Sequence, residues 1–204
     1  MSMGGYVDPL VVGRVVGEVV DLFVPTVGLS VNYGAKHVNN GCDVKPSAAA
    51  SPPTVRIAGR ASDLYTLIMT DPDAPSPSEP TMREWIHWMV VNIPGGKDPS
   101  QVLSLYVHNL CINTYNCNFS GVAATAAAGQ EVVEYMGPQP PVGIHRYVLV
   151  LFEQKSQLAS VASPAARPNF NTRVFAAQHD LGLPVAAVYF NSQKEPMSAR
   201  RRRR

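Results

Sequence analysis

Six short runs of β-branched, aromatic and aliphatic residues, each cut off by Pro, Gly, Asn or Asp, limit what this chain can become. They occupy 29–33, 54–58, 64–70, 85–93, 144–152 and 185–190. Runs of this length and composition read as strands, and those apolar on both faces read as central strands of a sheet covered on each side. Eighteen prolines and fifteen glycines among 204 residues make turns frequent and disfavour long helices. The predicted fold is mainly β, with a few peripheral helices in a single domain spanning 1–198. One short amphipathic helix is predicted over 9–23, with Asp8 as N-cap and Pro9 in the first helical position. A second is predicted over 168–181, capped by Asn171 or Thr172, with Phe175 facing inward.

Apolar residues make up 46% of the chain and charged residues 16%, which suits a compact body with a real core. The net charge of +2 is misleading, because five of the 17 basic residues form the arginine tail at 200–204 and the rest is mildly acidic. That balance does not fit a protein gripping nucleic acid over a broad face, so no direct sequence-specific nucleic-acid partner is expected. The tail itself, at 199–204, reads either as a solvated end or as an anion-binding or nuclear-import patch. Three cysteines, Cys42, Cys111 and Cys117, argue against a disulfide framework or a structural zinc site. No secretory signal and no apolar stretch of roughly 18 residues is visible, so the expectation is a soluble protein of the cytoplasm and nucleus, not an integral membrane protein.

Residues 102–128 break the pattern with Asn-, Cys- and Thr-rich text and an alanine tract. A structureless loop of this length between core strands is unusual, although loop closure entropy tolerates it at a surface. It reads as a disordered or retained-intron-like insert.

Two stretches carry the chemistry. Asp71-Pro72-Asp73-Ala74-Pro75 leads into Arg83-Glu84-Trp85-Ile86-His87-Trp88, and Gly143-Ile144-His145-Arg146-Tyr147 follows later. Imidazole, guanidinium and carboxylate groups set against buried strands suggest a small polar pocket suited to a phosphate-like anion. His87 alternates with Trp85 and should share its face; His145 and Tyr147 should share another, with Arg146 opposite. Each histidine alone reads as a satisfied core residue, whereas the two together read as converging on one pocket. Asp71 is the expected pocket carboxylate, while Asp73 is expected to cap local backbone amides. Arg146 reads either as a phosphate clamp or as a salt bridge bracing the pocket loop. Pro75 and Trp85 should form an apolar wall, and Pro141 and Gly143 should shape the mouth. Adjacent acids on one turn are poorly placed for glycoside hydrolysis, and no phosphate loop, nucleophile elbow or metalloprotease motif is present.

The DPDxP box at 71–75 and the GxHR box at 143–146 together resemble the phosphatidylethanolamine-binding protein family. Within it, the chain is most similar to the plant Mother of Flowering Locus T and Terminal Flower type. The likeness continues in Asn39-Asn40-Gly41-Cys42, in 169–173 and in 181–186, and Trp85 stands where floral activators carry Tyr and repressors His. The resemblance implies a central antiparallel sheet packed with a smaller sheet, and a shallow pocket for an anion or phospholipid headgroup. That pocket would be formed by Asp71, Pro75, Trp85, His87, Pro141, Gly143, His145 and Tyr147, supported by Asp73 and Arg146. Two histidines and an aspartate are also metal-ligand types, but the resemblance implies no metal, no cofactor and no enzymatic activity.

It implies instead a monomeric signalling adaptor in seed germination and dormancy, responsive to abscisic acid and gibberellin, with transcription-factor complexes and other regulatory proteins as partners. The positions that serve 14-3-3 binding in the floral branch hold Ser62, Gln101 and Gln157 here, with Pro94 retained, which argues against 14-3-3 proteins. The alternatives are a carrier of phospholipids or small anionic metabolites, and a protease or kinase inhibitor.

Overall fold

A computed structural model describes residues 7–95 and 129–196. The insert expected at 102–128, Gln101 and the tail at 199–204 lie outside the described residues. Nine strands and three short helices follow one another among the residues described. β1 (Gly28–Tyr33), β2 (Lys36–His37) and β4 (Thr54–Ala58) form a small antiparallel sheet in the order β2-β1-β4. β3 (Cys42–Asp43), β5 (Leu64–Asp71), β6 (Trp85–Pro94), β7 (Gln130–Val133), β8 (Ile144–Gln154) and β9 (Ala186–Gln193) form the large sheet. Its order is β3-β9-β8-β5-β6-β7, antiparallel except where β3 meets β9. The mainly β architecture, with one large and one small sheet and few helices, is the predicted one.

Both faces of the large sheet are covered, which explains the two-sided apolar runs. Toward the small sheet, Leu67, Met69, Tyr147, Leu149 and Leu151 pack against Val31, Val55 and Ile57. On the other face Ile68, Val148, Val150 and Phe152 pack against Leu10, Val15, Val19, Phe23 and Phe175. Val148, Leu149, Val150 and Leu151 are fully buried, and each such side chain contributes about 1.5–3 kcal/mol of transfer free energy.

The predicted helix over 9–23 is corrected to two four-residue turns, α1 (Pro9–Val12) and α2 (Val15–Glu18). Asp8 does cap α1, accepting the Leu10 amide at 2.8 Å. The chain then breaks at Gly13 and Arg14, which has φ 54°, and α2 is itself kinked at Val16 and Gly17. A Cβ at Gly13 would fall 2.4 Å from the Tyr189 ring, so the break lets the backbone lie against β9. The helix predicted over 168–181 shrinks to α3 (Thr172–Gln178), with Asn171 as its cap and Phe175 inward. Its expected first turn is extended instead: Phe170 and Glu84 exchange backbone hydrogen bonds at 2.9 and 3.0 Å, and the Ile86 amide reaches the Arg167 carbonyl.

Candidate functional site

The antiparallel pairing of β5 with β6 and β8 brings both motif boxes to one end of the large sheet. Asp71 closes β5 opposite Trp85, which opens β6, and Thr70 lies opposite Val148 on β8. Side chains alternate along β8, so Tyr147 faces the small sheet and Val148 the helical layer. His145 and Arg146 therefore leave the strand on opposite sides.

The two boxes pair residue with residue. His145 Nδ1 lies 2.7 Å from Asp71 Oδ2, with both residues at least 97% buried. The other His145 nitrogen, Nε2, lies 3.0 Å from the Val142 carbonyl. On the opposite face Arg146 grips Asp73 in a bidentate pair, Nε to Oδ2 at 2.8 Å and Nη2 to Oδ1 at 2.6 Å. Its remaining donors reach the Gly13 carbonyl and Glu18, both at 2.6 Å, and so tie the N-terminal turns to the sheet. Arg83 extends the network, with Nη2 3.5 Å from Glu18 and Nε donating to the Pro72 carbonyl at 2.6 Å. Of the two readings of Arg146, the brace is the one the geometry supports. The expectation for Asp73 is corrected in part: it does accept a backbone amide, but that of Arg146 on β8 at 2.8 Å, while the local cap is Asp71, whose Oδ1 accepts the Asp73 amide at 2.7 Å.

A β-bulge that the sequence does not announce falls at His87. Met69 pairs with Trp88 and Thr70 with Ile86, so His87 is the extra residue between them. Alternation keeps Trp85 and His87 on the pocket side while Ile86 enters the helical-layer core, and the bulge turns Trp88 to the same side as His87. His87 clasps Met136 twice, through Nδ1 to its carbonyl at 2.7 Å and through its own carbonyl to the Met136 amide at 2.9 Å. Tyr147 stands edge-on to His87 with ring centres 5.0 Å apart, and stacks on Phe190 at 5.3 Å.

Between these groups lies a cavity of 340 Å³, lined by Asp71, Pro75, Trp85, His87, Pro141, His145 and Tyr147 among others. One predicted member is elsewhere. Gly143 is not among the lining residues; with φ 83° it sets the turn into β8, where a Cβ would press on Pro77 at 2.9 Å. Arg146, expected as a support on the opposite strand face, opens there, and among the described residues no arginine lines the cavity. Ala74, Met82, Met136 and Gln139 line it as well. None has a residue-type signature; Met82 lies just upstream of Trp85, and Met136 is placed by the His87 clasp.

The two imidazoles are driven in opposite directions. Burial lowers the His87 pKa, against weaker opposition from the Met136 carbonyl and the Asp71 charge. Burial also works to lower that of His145, but the hydrogen bond and charge of Asp71, helped by the Val142 carbonyl and Asp73, outweigh it and leave the pKa raised. The site thus holds two imidazoles whose basicities are pushed apart, a carboxylate, and walls of Trp, Met, Pro and Tyr. Among the described residues, no group of three or more His, Cys, Asp and Glu is arranged to hold a metal ion.

A family model described as phosphatidylethanolamine-binding protein matches residues 27–190. Protein MOTHER of FT and TFL1 homolog 2 of Oryza sativa subsp. japonica is 58% identical over 201 residues, which cover 98% of this chain and 100% of that protein. Protein TERMINAL FLOWER 1 of Arabidopsis thaliana is 42% identical over 196 residues, covering 96% of each. Among solved structures, a carboxypeptidase Y inhibitor complexed with its cognate proteinase superposes with a TM-score of 0.71 at 21% identity, covering 92% of this chain and 94% of that one. The phosphatidylethanolamine-binding protein of Plasmodium vivax gives 0.67 at 20% identity, covering 92% and 96%. At these identities the two structures speak for the fold alone.

Proposed function

The chain belongs to the phosphatidylethanolamine-binding protein family, and on that premise we propose that it is a non-enzymatic regulator of plant development, acting in seed germination and dormancy under abscisic acid and gibberellin control. The observation that carries this reading is the 58% identity to the rice Mother-type protein over essentially the whole of both chains. The pocket at Asp71, His87 and His145 serves as a binding site for a phosphate or phospholipid headgroup rather than as a catalytic centre. The protein works as a monomer in cytoplasm and nucleus and joins regulatory proteins, among them transcription-factor complexes. Ser62 and Gln157 are exposed and supply neither a cation nor an aromatic anchor, which supports a partner other than a 14-3-3 protein.

The test uses a plant line lacking its own relative of this type. Expression of the full chain is expected to restore the germination response to abscisic acid, and a His87→Ala, His145→Ala double variant to restore it less. An unchanged response with the full chain, at normal protein level, overturns the regulatory reading. The apolar walls of the pocket, Trp85, Met82 and Met136, keep the carrier reading in view. It predicts that acyl chains add affinity beyond the headgroup, whereas the regulatory reading expects the headgroup to supply most of it.

A further inference from the structure

The face of the large sheet opposite the histidines carries positive charge that the brace does not use up. A cavity of 410 Å³ opens there beside Arg146, with Val12, Arg14, Arg83 and Ile144 in its walls. Its three guanidiniums, those of Arg14, Arg83 and Arg146, face two carboxylates, Glu18 and Asp73, which leaves one positive charge over. Both carboxylates are held by Arg146 at 2.6 Å. Arg83 donates through Nε to the Pro72 carbonyl, but its Nη2 stands 3.5 Å from Glu18 and 4.0 Å from Asp73, beyond hydrogen-bond range. Arg14 is exposed, and its guanidinium makes no hydrogen bond or ion pair with any described residue. The Arg14 backbone suits a different residue. Its φ of 54° and ψ of 20° lie in the left-handed region, where glycine or asparagine is less strained. The turn is pinned from below by Arg146, which donates to the Gly13 carbonyl at 2.6 Å. Backbone strain and an unspent cation thus coincide at the rim of one cavity, as they do at binding sites.

We infer that this face is a docking surface for a peptide segment of a partner protein. The segment sets a carboxylate or phosphorylated side chain against Arg14 and Arg83, and an aliphatic side chain against Val12 and Ile144, each of which is more than half exposed. Arginines with unused N–H groups beside exposed aliphatic side chains are anchors of the kind protein interfaces favour, and each guanidinium can grip an oxyanion with two parallel bonds. A nucleic acid fits badly: its phosphates would pass Glu18 and Asp73, and a single surplus charge neutralises few of them. A bilayer fits badly too, because this wall is concave and lacks the protruding tryptophan, phenylalanine or leucine by which peripheral surfaces enter lipid. A peptide brings charge and aliphatic surface together at neighbouring positions. The surface lies across the sheet from the histidine cavity, and it stands apart from the phosphate reading of that cavity.

The test is an NMR titration of the full chain with a short capped peptide in which glutamate and valine alternate, alongside its phosphoserine and glutamine counterparts. The backbone amides of Val12, Arg14 and Ile144 are expected to shift with the two charged peptides and not with the glutamine one, while those of His87 and Tyr147 stay fixed. Tighter binding of the phosphoserine peptide identifies a phosphorylated partner, and equal or weaker binding an acidic one. Arg14→Asn, which suits the left-handed turn, should weaken binding about fivefold, the upper end for an exposed charge contact. Arg83→Gln should act in the same direction. The inference is overturned if no peptide moves these amides, if the glutamine peptide binds equally well, or if Arg14→Asn binds as the parent does. Inorganic phosphate that matches the phosphoserine peptide in affinity also overturns it, and makes the cavity a small-anion site. Vesicles of phosphatidylserine and phosphatidylcholine that carry down the parent chain but not Arg14→Asn overturn it in favour of a membrane.

Discussion

His145 and Arg146 are neighbours on one strand, each is paired with an aspartate of the same five-residue box, and the two pairs do different work. Asp71–His145 is buried at 2.7 Å, contains a titratable imidazole, and borders a cavity. Asp73–Arg146 is bidentate at 2.6 and 2.8 Å, permanently charged, and fully engaged with Gly13 and Glu18. A strand that points successive side chains to opposite faces can thus place a responsive group and a structural brace one residue apart. The partner's chemistry and surroundings assign the roles, not closeness to the pocket in sequence.

Arg146→Met should produce the largest loss. It leaves Asp73 buried without its partner, and a broken buried pair costs about 3–5 kcal/mol, readable by urea unfolding. Phosphate affinity of the molecules still folded should change little. His145→Ala should cost less, about 1.5–3 kcal/mol for lost charge-assisted bonds, but should weaken phosphate binding, because Asp71 loses its neutralising partner. A larger stability loss from His145→Ala than from Arg146→Met would reverse the roles drawn here.

The pH dependence separates the pairs further. The folded pKa of His145 is raised above its unfolded value near 6.5. The stability that this shift contributes is therefore fully present below about pH 6.5 and is lost as pH rises through the folded value. The stability gap between the parent chain and Asp71→Asn should accordingly narrow on the alkaline side, while the gap to Arg146→Met stays level between pH 6 and 9. His87, lowered by burial, acts in the other sense: it withdraws stability as pH falls below about 6.5, because protonation then favours the unfolded chain. Unfolding curves taken across this range test both signs.

Gly143→Ala addresses the turn from which both faces diverge. A left-handed φ of 83° and a contact with Pro77 at 2.9 Å should together cost about 1–2 kcal/mol, with some loss at both pairs. The smallest effect is expected at Lys155. Its bond to Asp180 is 2.6 Å, as short as that of Arg146 to Asp73, but the side chains are 70% and 78% exposed. Lys155→Met should change stability by less than about 1 kcal/mol, which checks that burial rather than distance separates a brace from a surface contact.

Much of this division is legible in the sequence and some is not, for physical reasons. β5, β6 and β8 are written in β-branched and aromatic residues buried on both faces, so their positions follow from composition and period. β2 and β3 are only two residues long, and β7 reads Gln130-Glu131-Val132-Val133, too short and polar to stand out; their pairing is tertiary. The opposition of His145 and Arg146 is a plain consequence of alternation. The bulge at His87 is not, because a bulge is fixed by the register of the partner strand. The break at Gly13 is equally hidden, since the Tyr189 ring that requires a glycine there lies on β9, far along the chain.

The central claim, that the histidine side responds to phosphate while Arg146 only braces, is tested most directly by long-range proton–nitrogen NMR of the imidazole rings. Spectra taken with and without methyl phosphate near pH 7 report the protonation of each ring nitrogen. The expected free state has His87 carrying its hydrogen on Nδ1, and phosphate should move the His87 ring signals while the Arg146 Nε signal stays fixed. Histidine signals unmoved by phosphate, or movement confined to Arg146, would contradict it.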